Sequence, residues 1–131
     1  MANPNPILHP EWNGKRINDA ASGTGWYLML DGMRRGLPNM ETYDNLFRDR
    51  NGIDDVLDIA DIMDGGDLTD GAMLVSTPDA GVCLITDGMK RHIADPATMD
   101  AYYFDWGKVV AVPSVVLAAI PEGPEININP Q

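Results

Sequence analysis

Sulfur chemistry is almost absent from this chain, which has one cysteine, Cys83, in 131 residues. That excludes an internal disulfide. Cys83 lies in an apolar run and reads as a small core side chain. No stretch approaches the roughly 18 apolar residues of a membrane-spanning helix. The first ten residues hold no cationic region followed by an apolar run, so no signal peptide is expected and synthesis in a cytosol is. Positive charge is scarce: nine Lys and Arg stand against twenty Asp and Glu, a net charge of −11. Phosphate counterions are displaced by a basic face, so neither nucleic acid nor an anionic membrane is an expected partner. Catalytic constellations are missing as well. The two histidines, His9 and His92, have no spaced partner for zinc. No Gly-x-Ser-x-Gly elbow, Walker loop or dinucleotide glycine pattern occurs. The expectation is a protein that is not an enzyme and takes no cofactor and no metal.

What the chain does have is the same short unit twice. Shifted by 56 positions, Gly25 to Phe47 falls on Gly81 to Tyr103 without a gap, and eight of the 23 pairs are identical. Average composition would give roughly one or two. Further on, Leu68-Thr69-Asp70-Gly71-Ala72-Met73-Leu74 aligns with Ile120-Pro121-Glu122-Gly123-Pro124-Glu125-Ile126 after a small shift. A repeated unit rarely buries its apolar face alone, so two copies are expected to share one core. Duplication also favours a scaffold or binding surface over a catalytic centre, which is usually asymmetric.

Local signals outline each unit. An apolar run (Trp26 to Leu30, Val82 to Thr86) meets Asp31-Gly32 or Asp87-Gly88, a strong signal for a tight hairpin. The return strands carry Met33-Arg34-Arg35-Gly36-Leu37 and Met89-Lys90-Arg91-His92-Ile93. Asn39 and Asp95 then cap short helices over Met40 to Phe47 and Ala97 to Phe104, with Pro96 at the first turn of the second. A strand follows, Asp55 to Ile59 or Lys108 to Val112, and then a short helix or turn, with Ser114 as a cap. The fold class expected is α+β, a tandem duplication of a hairpin–helix–strand–short helix unit with an extended N-terminal arm. The boundaries are 1–24 for the arm, 25–74 and 75–126 for the units, and 127–131 for a tail that alternates as an edge strand does. Residues 21–25 and 75–80 read as joints.

Four features invite a functional reading. Asp55, Asp58, Asp61, Asp64, Asp67 and Asp70 recur every third residue, a supply of oxygens that suits calcium. Their order matches neither the EF-hand loop nor the Gly-Gly-x-Gly-x-Asp repeat, and the second unit has no acid from Pro113 to Ile120, so a solvated rim is expected. The basic pairs Arg34-Arg35 and Lys90-Arg91 recur in both units. They suit an anionic glycan, a phosphate or a carboxylate on a neighbouring subunit, or the chain's own acids. The aromatics Trp26, Tyr27, Tyr43, Phe47, Tyr102, Tyr103, Phe104 and Trp106 read as core where helix meets hairpin. Trp12 stands apart, in an arm where three prolines among the first ten residues favour extended backbone. Ordering such an arm needs a large contact surface. Ile7, Leu8 and Trp12 are therefore expected to anchor it on another subunit, with Lys15 and Arg16 meeting acids of that partner.

The second unit resembles the short "KRxI" tandem repeats of bacterial surface and wall-associated proteins. The resemblance runs through Lys90, Arg91, Ile93, Phe104, Trp106, Val109, Leu117, Ile120, Pro121, Gly123 and Ile126. The first unit matches more loosely, with Gly36 where a polar residue is usual. What the resemblance implies is attachment rather than catalysis. A short chain with an arm and a tail is also similar to a small accessory protein of a phage particle. The expected function is thus a non-catalytic structural or assembly module of a virion, as capsid decoration or tail component, with other protein subunits as partners and homo-oligomerisation. The alternative is a glycan-binding wall module.

Overall fold

A computed structural model describes residues 6–22, 25–78 and 81–128, and the chain forms two compact units. One comprises the segment ending at Pro38 together with Arg50–Leu68; the other comprises Asn39–Asp49 and the segment from Thr69 onward. Met1 to Asn5 of the expected arm, Gly23, Thr24, Asp79 and Ala80 of the expected joints, and Asn129 to Gln131 of the tail lie outside the described residues.

The first unit is a five-stranded sheet. Its strands are β1 (Arg16–Asp19), β2 (Trp26–Leu30), β3 (Met33–Gly36), β4 (Asp54–Val56) and β5 (Asp64–Asp67), in the order β4-β1-β2-β3-β5. β2 and β3 form the expected hairpin. Asp31 and Gly32 both take positive φ, 58° and 76°, the geometry that matches a two-residue turn to strand twist. Ile17, Met29 and Ile62 form its buried cluster, with Trp12, Tyr27, Val56 and Ile59 packed on it. The arm is not wholly an arm. Residues 16–19 are a strand inside the sheet, antiparallel to β2 and parallel to β4. Arg16-Ile17-Asn18-Asp19 has a single apolar residue, Ile17, so no alternation marks it as a strand.

In the second unit β6 (Met73–Ser76), β7 (Val82–Thr86), β8 (Met89–His92) and β9 (Val110–Ala111) make a four-stranded sheet in the order β8-β7-β6-β9. The expected joint at 75–80 begins as β6. Three short helices accompany the sheet: α1 (Met40–Leu46), α2 (Pro96–Ala101) and α3 (Ser114–Ala118). The expected strand over Lys108 to Val112 shrinks to two residues. Asp105 accepts from the Gly107 N–H and caps a 3-10 turn over Trp106–Lys108, and Pro113, which lacks a donor, follows.

α1 and α2 start the same way. The Asn39 and Asp95 side chains each accept from the backbone N–H and the hydroxyl of the residue three on, Thr42 and Thr98, at 2.7 to 2.8 Å. Each threonine is fully buried, and its oxygen accepts in turn from later backbone, Gly71 N–H or Ile128 N–H. α1, though part of the first repeat in sequence, packs against β6 in the second unit. There Phe47 and Phe104 form an antiparallel bridge, with reciprocal bonds from Arg48 N–H to the Tyr103 carbonyl and from Asp105 N–H to the Leu46 carbonyl. Tyr43, Phe47, Phe104 and Tyr102 pack ring to ring at 4.7 to 5.6 Å. Residues of both repeats therefore share this aromatic core.

Strand pairing sets the true correspondence between repeats. Ile17 faces Tyr27 as Val75 faces Cys83, and Asp54 and Asp55 pair with β1 as Val110 and Ala111 pair with β6. The strand ahead of each hairpin thus belongs to the repeat. Phe47 corresponds to Phe104 rather than Tyr103, which is an extra residue held at φ 60°. The returning segment also needs a new register. Arg34 N–H donates to Met63 as Lys90 N–H donates to Pro121, and Leu68 N–H reaches Gly36 as Ile126 N–H reaches His92. Ile62-Met63-Asp64-Gly65-Gly66-Asp67-Leu68 is accordingly the partner of Ile120 to Ile126, six residues earlier than the sequence alignment placed it.

Candidate functional site

The duplicated basic pairs are the residues singled out most sharply by sequence, and the fold turns half of them inward. Arg35 is 6% exposed and Arg91 3%. The Arg35 Nε–H donates to the Gly66 carbonyl at 2.9 Å, and the Arg91 Nε–H to the Pro124 carbonyl at 2.8 Å. Gly66 and Pro124 occupy matching places on the returning segments. Each arginine therefore ties the returning segment of its repeat to the hairpin, with a charged donor on a backbone acceptor.

The glycines beside these pins follow from the same geometry. A Cβ on Gly65 would sit 2.6 Å from Arg35 Cδ and 3.1 Å from Met33 Cβ. On Gly123 it would sit 3.0 Å from Met89 Sδ and 3.3 Å from Arg91 Cγ. The side chain crosses directly over the segment it holds, so the segment has no side chain there.

The outer members of the pairs are also engaged within the chain. Arg34 Nε–H donates to the Ile62 carbonyl at 3.1 Å, its guanidinium lies 3.7 Å from Asp64 and 5.5 Å from the centre of the Tyr27 ring. Lys90 Nζ donates to the Leu117 carbonyl at 3.0 Å. Of the four basic residues offered as partner contacts or as partners of the chain's own acids, Arg35 and Arg91 are buried and Arg34 and Lys90 half-buried.

The anchors expected at the N-terminal end go to different places. Ile7 bridges Ile62 in parallel, and its side chain and that of Leu8 are about half exposed. Trp12 stacks on His9 with ring centres 4.1 Å apart and packs on the Ile17 cluster of its own unit. Lys15 lies 3.5 Å from Asp54 of the same unit, and Arg16 is buried. His9 also holds Glu11 at 2.9 Å, and that hydrogen bond keeps the Glu11 carboxyl below the usual carboxylate range.

The position after each buried arginine differs between repeats. A Cβ on Gly36 would fall 2.0 Å from Asp67 Oδ1, so the glycine leaves room for that carboxylate. In the second repeat the same two places hold His92 and Glu125, Nδ1 to Oε2 3.2 Å, with both side chains about half exposed. His92 also lines a shallow cleft of about 240 Å³ with Trp106, Asp95 and Met99. A histidine–carboxylate pair is therefore present, on the surface rather than in a buried cleft.

The acidic series is dispersed. Asp55 accepts from Asn18 and Asp64 from Gly66 N–H, while Asp70 accepts from Asn39. Among the described residues no three carboxylate, histidine or cysteine side chains gather as a metal group would. Cys83 is buried, and that burial raises its thiol pKa, away from the reactive thiolate.

One surface escaped the sequence reading. Val110 of β9 and Val115 and Val116 of α3 are 45%, 76% and 47% exposed, although all three are aliphatic. Only Leu117 of α3 points inward, against Val75 and Cys83. The available signal was the uncharged stretch from Val109 to Pro121. Comparison of the chain with protein-family models, curated proteins and solved structures finds no match.

Proposed function

We propose that this protein is a non-catalytic structural module that assembles with other protein subunits on a larger particle, as an accessory component of a phage virion in capsid decoration or the tail. The observation that carries the reading is the fate of the duplicated residues. Arg35 and Arg91 tie strands to carbonyls inside each repeat, so what the duplication preserves is a frame. What the second repeat turns outward at β9 and α3 is apolar, the character of a surface that meets protein. Presentation of both basic pairs to an anionic glycan has less support, because the two arginines are buried.

The test is co-sedimentation of purified protein with phage particles and, separately, with purified bacterial cell wall. Binding to particles and not to wall is the expected result. Binding to wall alone, lost in Arg34→Ala plus Lys90→Ala, would replace this reading with glycan attachment. Those two side chains are the better probes because they are not fully buried.

A further inference from the structure

The chain contains two Asn-Gly pairs, Asn13-Gly14 and Asn51-Gly52, and the fold treats them in opposite ways. In such a pair the glycine nitrogen can attack the asparagine side-chain amide, because no Cβ on the glycine obstructs the approach. Asn13-Gly14 is held on both sides of that reaction. The Asn13 Oδ1 accepts from Gly32 N–H at 2.7 Å. Gly14 is buried, and its N–H donates to the Met29 carbonyl at 2.9 Å. Electrophile and nucleophile are each committed to the hairpin of β2 and β3, so they meet only if two hydrogen bonds break.

Asn51 and Gly52 are both exposed, in the turn that leads into β4. Gly52 has φ 78°, a left-handed value that glycine takes at no steric cost. Among the described residues no acceptor holds the Gly52 N–H. Attack requires the peptide plane between the two residues to rotate toward the Asn51 side chain. An exposed turn with glycine on one side of that plane resists the rotation least. The turn also lies against a buried cation: a Cβ on Gly52 would sit 3.1 Å from Arg16 Nη2.

We propose that Asn51 is a site of spontaneous deamidation, at which the folded chain converts a neutral side chain into a carboxylate without an enzyme. The Gly52 nitrogen loses its proton and bonds to Asn51 Cγ, closing a succinimide ring. The Cγ–Nδ2 bond breaks, and ammonia leaves with the proton. Water then opens the ring. Addition at the side-chain carbonyl gives aspartate. Addition at the main-chain carbonyl gives isoaspartate, in which the chain runs through the side chain and gains a methylene. Water is the sole co-reactant, and nothing is oxidised or reduced. Either product adds one negative charge to a chain already at −11, in a turn where Arg16 offsets part of it. Isoaspartate also lengthens the backbone just ahead of β4, the edge strand that pairs with β1 through Asp54 and Asp55. The modification is independent of what the protein assembles with.

The experiment is ageing of the purified full chain at mildly acidic and mildly alkaline pH, followed by peptide mapping with mass spectrometry and enzymatic methyl labelling of isoaspartate. The peptide over Asn51 is expected to gain the mass of an amide-to-acid change, faster at the higher pH because the attacking nitrogen must be deprotonated. In the same samples the peptide over Asn13 should react at least about tenfold more slowly, since its two hydrogen bonds open only with local unfolding. In denaturant both pairs should react at similar rates. Asn51→Gln should abolish the gain at that peptide, because glutamine has to close a larger ring. The side chain is exposed, so this variant is expected to fold like the parent. Equal rates at Asn13 and Asn51 in the folded chain would overturn the proposal, as would a gain that survives Asn51→Gln. A difference between the pairs that is just as large in denaturant would also overturn it, because the fold would then not be its source.

Discussion

Several matched positions that build the frame of the two repeats are identical, and several that face out differ. Met33 and Met89, Arg35 and Arg91, Thr42 and Thr98, Ile62 and Ile120, and Gly65 and Gly123 are identical, and they make the hairpin, the pin, the cap and the glycine beneath the pin. Gly36 against His92, Asp67 against Glu125, and Asp54-Asp55 against Val110-Ala111 differ. The lesson is that a fold of this size is held by a few couplings that must be kept together. An arginine that crosses a strand requires both a carbonyl to receive it and a glycine to clear its path.

The comparison breaks most severely at the aromatic contact between repeats. Phe47 and Phe104 are wholly buried with ring centres 5.6 Å apart. Alanine at either is expected to cost about 3–5 kcal/mol, as large-to-small changes in cores do. Because the rings touch, the double variant should lose less than the sum. Urea unfolding of the singles and the double measures this.

The glycines separate the repeats more finely. Gly65→Ala drives a methyl into Arg35 Cδ and the Met33 Cβ, and an overpacking loss of about 1–3 kcal/mol is expected. Gly123→Ala meets first the Met89 sulfur, the end of a flexible thioether that can swing aside. Its loss in the same unfolding assay should be the smaller. Equal losses would mean that the two pins are packed alike.

The caps make the mildest contrast, and it is one of pH. Asn39→Ala is expected to cost about 1 kcal/mol at any pH where the protein folds, since a neutral cap does not titrate. Asp95 is ionised, and its hydrogen bonds from the Thr98 hydroxyl and N–H hold its pKa below the usual aspartate value. A carboxyl depressed in the folded state stabilises above its unfolded pKa and loses that contribution as pH falls through the folded one. Asp95→Asn should therefore flatten the acid limb of the stability profile relative to the parent. Asp100, held low chiefly by its 2.6 Å bond to Arg48, remains in both proteins and cancels in the difference.

Much of this was legible in sequence, and the failures have definite causes. Asp31-Gly32, Asp87-Gly88, Asn39 and Asp95 were readable because turns and caps are set by residues a few positions apart. β1 was not, since four residues between Lys15 and Ala20 carry too little periodicity to stand out from an arm. The returning segment was misregistered because Ile62-Met63-Asp64-Gly65-Gly66-Asp67-Leu68 looks like a calcium-suited loop and resembles Ile120 to Ile126 only once the shared hydrogen bonds to Met63 and Pro121 are known. The basic pairs were given anionic partners, a ligand or the chain's own acids, whereas Arg35 and Arg91 donate to backbone carbonyls. Their burial depends on acceptors 31 and 33 residues further along, a distance at which local pattern is silent.

The central claim is that the arginine common to both repeats is an internal tie rather than a presented charge. Side-chain Nε–H exchange, followed by nitrogen-15 NMR in deuterated buffer with Arg35→Lys and Arg91→Lys to assign the signals, tests it most directly. Buried protons bonded to carbonyls open only with local unfolding, so the Arg35 and Arg91 signals should persist long after that of a free arginine has vanished. If both vanish at the free-arginine rate, the two side chains face solvent and the account of the repeat is wrong.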